Sequence, residues 1–250
     1  MRYALGLLAG ALALVAAAGS ALALGDADKA EVRTIIREYL IENPEVIREA
    51  IEALEARQKE AEAKSRALAL EEKKAAIFDS KHQVELGNRQ GDVTLVEFFD
   101  YNCGYCKRAL EDMNVLLSRD PKLRVVLKEF PVLGQGSAEA AQIAIAVNMQ
   151  APQSYLEFHR RLLGVRGAIG KDQALAVAKQ LGLDIARLEK DAASADAKAN
   201  LGEVYEIARA LGLNGTPSYI IGDEIVPGAI GAEELAQRIA SVRQCGKATC

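Results

Sequence analysis

The sequence predicts an α/β fold: a β-α-β unit, a helical insertion and a β-β-α unit, all preceded by a separate helical segment. Three observations carry this expectation. Two nearly continuous apolar runs, "DVTLVEFFD" (92–100) and "KLRVVLKEFPV" (122–132), read as strands buried on both faces. Between them Leu110, Met113 and Leu117 recur at helical spacing, so the two strands should lie parallel, joined by a right-handed crossover. Residues 26–76, by contrast, are charged, helical in period and interrupted by a single proline, Pro44.

The chain opens on "MRYALGLLAGALALVAAAGSALA", with one early cation, a long Ala/Leu run and Ala21-Leu22-Ala23 as a small-x-small cleavage site. This reads as an export signal over residues 1–23, cleaved near Ala23. Half of the 250 residues are hydrophobic, enough for one good core with material left over. Asp and Glu number 35 against 31 Lys and Arg, spread along the chain, so no nucleic-acid partner is expected. Beyond the signal no stretch is long and apolar enough to span a bilayer, and the mature protein should be soluble.

Residues 24–56 should form a helical segment that self-associates. Val32, Ile36, Tyr39 and Leu40 share one face of a first helix. Asn43 suits an N-cap and Pro44 the first turn, so a second helix should start there and run to about Ala76. Ile47, Ile51 and Leu54 continue an apolar stripe that the segment cannot bury by itself, and other copies of the chain are the obvious cover. Beyond Arg57 the stripe thins to alanines among charges, with Glu60/Lys64 and Glu62/Arg66 four residues apart, so 57–76 reads as a helical linker.

The globular domain should occupy residues 77–250, with the insertion at about 134–212. Ser137 is placed to cap a helix bearing Ile143 and Val147. Tyr155, Phe158 and Leu162 mark a second helix, Leu175 and Leu181 a third, and Leu201, Val204, Ala208 and Leu211 a fourth. "GTPSYIIGDEIVPG" (215–228) then gives two short strands about a Gly222-Asp223 turn of type II′. Leu235, Ile239 and Val242 give a last helix.

Cys103 should stand at the N-terminal end of the helix after the first buried strand, with Cys106 one turn in. Free N–H groups and the helix dipole favour a thiolate at the first position, and the i, i+3 spacing brings the second sulfur within bonding reach. A shared zinc site would need a second ligand pair, and neither Cys245/Cys250 nor the histidines at 82 and 159 have the spacing. The readings of Cys245 and Cys250 are a small local disulfide, a second redox pair and a soft-metal site.

"VEFFDYNCGYCKRA", "KEFPVLG" and "GTPSYIIG" together resemble the DsbA-type disulfide oxidoreductases of the thioredoxin fold. More narrowly, "ADKAEVRTIIREYLIENPEVIREAIEALE" resembles the helical N-terminus of the ScsC/Com1-like branch, a segment that assembles trimers. The resemblance implies that Cys103 is the attacking thiolate and Cys106 the resolving thiol. It makes Pro217 a cis-proline and Thr216 the residue whose backbone faces the active-site sulfur and helps hold a substrate. It also implies that Glu97 is a buried acid with Lys128 as its basic partner, either a proton relay to Cys106 or a structural ion pair. Gly104-Tyr105 departs from the Pro-His of the most oxidising members, and Tyr105 cannot set a positive charge beside Cys103.

These readings imply periplasmic thiol-disulfide exchange on exported proteins with no cofactor beyond the redox-active disulfide. A self-associating stalk favours an isomerase or reductase, kept reduced by a membrane partner such as a DsbD-like reductase. The alternatives are a DsbA-like oxidase and Cu(I) binding by the same two cysteines.

Overall fold

The computed structural model describes residues 25–250; the export signal and its cleavage site lie outside the described residues. The structure divides into two compact units between Ala61 and Glu62. In the first, helix α1 (Asp26–Glu42) buries no residue along its length. Its side chains Val32, Ile35, Ile36, Tyr39 and Ile41, and Ile47, Ile51 and Leu54 of helix α2 (Glu45–Phe78), are all exposed. Asn43, expected to cap α2, closes α1 instead, its backbone N–H and side-chain amide both donating to Tyr39 O at 2.8 and 2.9 Å, and α2 starts at Glu45.

The second unit begins on α2 at Glu62, earlier than the expected boundary at 77. The reason is packing: Ala69, Leu70 and Ala76 lie against the core, and Ile77 is wholly buried. Strand β1 (Val84–Gly87) follows, then β2 (Val93–Phe99), α3 (Gly104–Arg119) and β3 (Leu123–Glu129). The insertion comprises α4 (Gln135–Gln150), α5 (Tyr155–Leu163), α6 (Lys171–Gln180), α7 (Ile185–Ala192) and α8 (Ala195–Leu211). The hairpin β4 (Ser218–Ile221) and β5 (Glu224–Pro227) and helix α9 (Ala232–Cys245) complete the chain. Gly222 opens the hairpin turn at φ +58°, a conformation that favours glycine.

The sheet runs β1-β3-β2-β4-β5, with β2 and β3 parallel as expected and every other pair antiparallel. Alternation sorts its side chains onto two faces. Val93, Leu95, Phe99, Val125, Leu127, Tyr219 and Ile221 enter a large core with α3, α9 and most of the insertion. Val96, Phe98, Val126 and Ile220 enter a smaller one with α8 and Ile77. Two elements went unread in the sequence, the edge strand β1 and helix α7. Ser137 does not cap α4 either, since Gly134 holds that position and the Ser137 hydroxyl is buried, donating to Asp100 at 2.8 Å.

Candidate active site at the head of α3

The C-terminal end of β2 leads through Asp100, Tyr101 and Asn102 into the N-terminus of α3. This turn is tied down on every side. Asp100 Oδ1 accepts from Asn102 N at 2.7 Å and from the Ser137 hydroxyl, while its Oδ2 accepts from Val132 N and Leu133 N. The Asn102 side chain donates to Ile169 O and accepts from Ile169 N, both at 2.8 Å. A buried carboxylate satisfied by four donors makes a rigid base, and Cys103 stands on it as the N-cap of α3.

Both Cys103 and Cys106 are free thiols and both are buried, Cys106 more deeply at 1 % exposure against 6 %. Cys103 Sγ donates to Thr216 O at 3.1 Å across the site. The Thr216-Pro217 peptide is cis, as the resemblance implied, and Pro217 O accepts from Gly228 N at 2.8 Å. Thr216 and Pro217 line a groove of about 250 Å³ with Tyr105, Asn214, Gly215, Ser218, Pro227, Gly228 and Ala229. Thr216 lines this groove and its carbonyl accepts from Cys103 Sγ, so the groove adjoins the thiol.

Tyr105 is exposed where it lines that groove, and the Arg108 guanidinium carbon lies 4.5 Å above its ring. The positive charge that Tyr105 cannot carry is therefore held against its face by cation–π attraction. Lys107 is drawn away to Val165 O at 2.7 Å. Gly104 meets no steric demand, because a Cβ there would find nothing within 4 Å.

Beneath the cysteines, burial dominates. Desolvation, with Glu97 nearby, pushes the Cys106 thiol far above its ordinary range. Desolvation and then the neighbouring Asp112 raise the Glu97 carboxyl to about 8. No hydrogen bond to the Glu97 carboxyl is found among the described residues.

Lys128 is not the partner of Glu97. The parallel register sets Glu97 opposite Leu127 and Phe98 opposite Lys128, so the two charges leave the sheet on opposite faces. Lys128 Nζ donates to Ala76 O at 2.7 Å and Gln83 Oε1 at 3.3 Å, and lies 3.8 Å from Glu203. Desolvation lowers it to about 8, and it supports the junction of α2, α8 and the sheet rather than the active site.

Cys245 and Cys250 form a disulfide at the end of α9. Within that ring Ala248 is buried and its N–H donates to Asp223 at 3.2 Å, fastening the tail to the β4–β5 turn. No cluster of three or more metal-ligating side chains occurs among the described residues. Sequence reasoning missed Asp100, Asn102 and Tyr219. The Asp-x-Asn spacing ahead of Cys103 is a readable turn signal, whereas Tyr219 is visible only once the β2–β4 register is known.

Residues 94–240 match the family model described as the DSBA-like thioredoxin domain, and residues 28–61 match the copper resistance protein ScsC N-terminal domain. A thioredoxin-like oxidoreductase from Silicibacter pomeroyi superposes with a TM-score of 0.66 at 37 % identity, covering 68 % of this chain and 98 % of that one. A linker-deleted mutant of Proteus mirabilis ScsC superposes with a TM-score of 0.69 at 28 % identity, over 90 % of this chain and 99 % of that one. Among curated proteins, the Na(+)/H(+) antiporter NhaA 1 of Salinispora arenicola is 27 % identical over 160 residues, 62 % of this chain. The chain spans about a quarter of the length of that relative, 24 %. No helix among the described residues is long and apolar enough to cross a membrane.

Proposed function

The chain belongs to the family of DSBA-like thioredoxin domains, and we propose that it performs thiol-disulfide exchange on exported proteins, chiefly as an isomerase or reductase. The observation that carries this reading is the Cys103 thiol at the head of α3, 3.1 Å from Thr216 O on the rim of a groove, with Cys106 sealed behind it.

In the reducing direction the Cys103 thiolate attacks a client disulfide, forming a mixed disulfide and releasing one client thiolate. Cys106 then gives its proton to the Glu97 carboxylate and attacks Cys103 Sγ. The Cys103–Cys106 disulfide forms, the second client thiolate leaves and takes up a proton, and two electrons have passed to the client. For isomerisation the mixed disulfide is attacked instead by another client thiolate, and Cys103 is regenerated without net electron transfer. Glu97 is suited to the proton step because its raised affinity approaches the working pH.

The preference for isomerase or reductase is supported by the exposed apolar side chains of α1 and the first turns of α2, which call for further copies of the chain. We take the assembly to be a trimer, with several groove-bearing domains facing a shared client. Such a protein would act in the periplasm, with its signal removed near Ala23 and its dithiol recharged by a DsbD-like membrane reductase. Cu(I) capture would use the same two sulfurs, and a copper titration with Cys103→Ser as control separates it from exchange.

Scrambled, fully oxidised ribonuclease tests the reading. Recovery of activity that needs Cys103 and no added oxidant is the expected result. Rapid oxidation of reduced ribonuclease without recovery of the scrambled form would make the chain an oxidase.

A further inference from the structure

One polar group on the redox face takes no part in the exchange steps. Tyr219, two residues beyond Pro217, is 1 % exposed, and its buried hydroxyl has no hydrogen-bond partner among the described residues. A hydroxyl left in that condition is costly and calls for a reason. The antiparallel β2–β4 register sets Tyr219 directly opposite Glu97, so the two side chains leave the sheet side by side on the same face.

The groups around Glu97 leave few other donors. Helix α3 brings the Cys106 thiol and Asp112, with Cys103 at its head; Asp112 is itself an acceptor, bonded to Ala232 N at 3.0 Å. Strand β3 and helix α9 bring the apolar Leu127, Leu235 and Ile239 to this core. Lys128 faces the other way. The buried Tyr219 hydroxyl, itself without a partner, thus leaves the sheet beside the Glu97 carboxyl beneath Cys106.

We propose that Tyr219 is a positioning residue for exchange: its O–H donates to the Glu97 carboxylate, directly or across one water, when that carboxylate takes the Cys106 proton. The inference rests on the exchange reading given above. A hydrogen bond to a charged acceptor is much stronger than one to a neutral acid, so the hydroxyl serves the ionised state selectively. While Glu97 is protonated the hydroxyl gains little from it. Its contribution is to lower the pH at which Glu97 becomes a base without placing a fixed cation under the thiols.

The test is Tyr219→Phe in the full reduced chain, which keeps the ring and removes only the hydroxyl. Two readouts are compared. The first is the Glu97 carboxyl titration by carbon NMR of ¹³C-glutamate-labelled protein, with Glu97→Gln assigning the resonance. The second is the pH profile of the second thiolate released from an aromatic disulfide reagent, the release that needs Cys106. Tyr219→Phe should raise both midpoints by about one pH unit and slow the second release about tenfold near neutrality. Thermal stability should hold or rise, since an orphaned hydroxyl is lost, and in the Glu97→Gln background the substitution should change neither rate nor profile. Unmoved midpoints would overturn the proposal. Absence of any Cys103-dependent release in the parent chain would sink the exchange reading instead, and the NMR midpoint alone would then decide the role of Tyr219.

Discussion

Glu97 on β2 and Lys128 on β3 are both buried, on opposite faces of the sheet, and their surroundings treat the two charges in opposite ways. On the face under α8, Lys128 meets three oxygens, from Ala76, Gln83 and Glu203, and so ties the end of α2 to the sheet. On the face under α3, Glu97 has only Cys106, Asp112 and Tyr219 for polar company and no hydrogen bond found among the described residues. A buried ion with its partners supplied is architecture. A buried acid left without them has its proton affinity raised, and on the proposed exchange reading it is Glu97 that takes the Cys106 proton.

Swapping each charge for a neutral residue should separate the two roles. The largest effect is expected from Glu97→Gln, which removes the base for Cys106: the resolving step should slow by roughly a hundredfold. Attack by Cys103 on the first disulfide should stay nearly unchanged, so a stopped-flow trace would show an intact first phase and a lagging second. Equal slowing of both phases would count against a proton role for Glu97. Lys128→Ala should do the reverse, costing about 3 kcal/mol in denaturant unfolding because Glu203 and two oxygens lose their partner. Exchange by the folded fraction should be intact.

The pH dependence of unfolding sharpens the contrast. Burial raises Glu97 from 4.5 to about 8. Between those values the folded chain keeps a proton that the unfolded chain has lost, so stability should fall as pH rises through that window. Burial lowers Lys128 from 10.5 to about 8, so the unfolded chain binds the extra proton there and stability should rise from about pH 8 toward 10.5. Each slope should vanish in its own variant, Glu97→Gln or Lys128→Ala, and survive in the other. The smallest effect is expected at Gly104. An added Cβ meets nothing there, so Gly104→Ala should leave melting temperature and exchange rate within error.

The strand-helix-strand core and the cysteine pair were legible in the sequence because each leaves a strong local trace. The apolar runs of β2 and β3 are long, and Leu110, Met113 and Leu117 hold a clear helical period between them. β1 left no such trace, since Val84-Glu85-Leu86-Gly87 alternates over only four residues, too few to separate a strand from a loop. The pairing of Glu97 with Lys128 could not be judged from either strand alone. It depends on the β2–β3 register, and a slip of one residue reverses which face a side chain occupies. Tyr219 was hidden for the same reason, while Cys106 was correctly placed because three residues along a helix is a local distance.

The disulfide tail adds a constraint of a different kind. Cys103 follows the C-terminal end of β2, whereas the Cys245–Cys250 ring lies by the turn after Ile221, which pairs back near the start of β2 opposite Leu95. One chain therefore carries two cysteine pairs at opposite ends of its central strands, and in service as an isomerase one must stay open while the other stays closed. A structural ring that is harder to reduce than an active-site pair stays closed at a potential that holds the pair open, so the two need only different reduction potentials. The closed ring keeps Ala248 fastened to Asp223, so the anchor of the β4–β5 turn does not draw on the Cys103 and Cys106 pair at the other end.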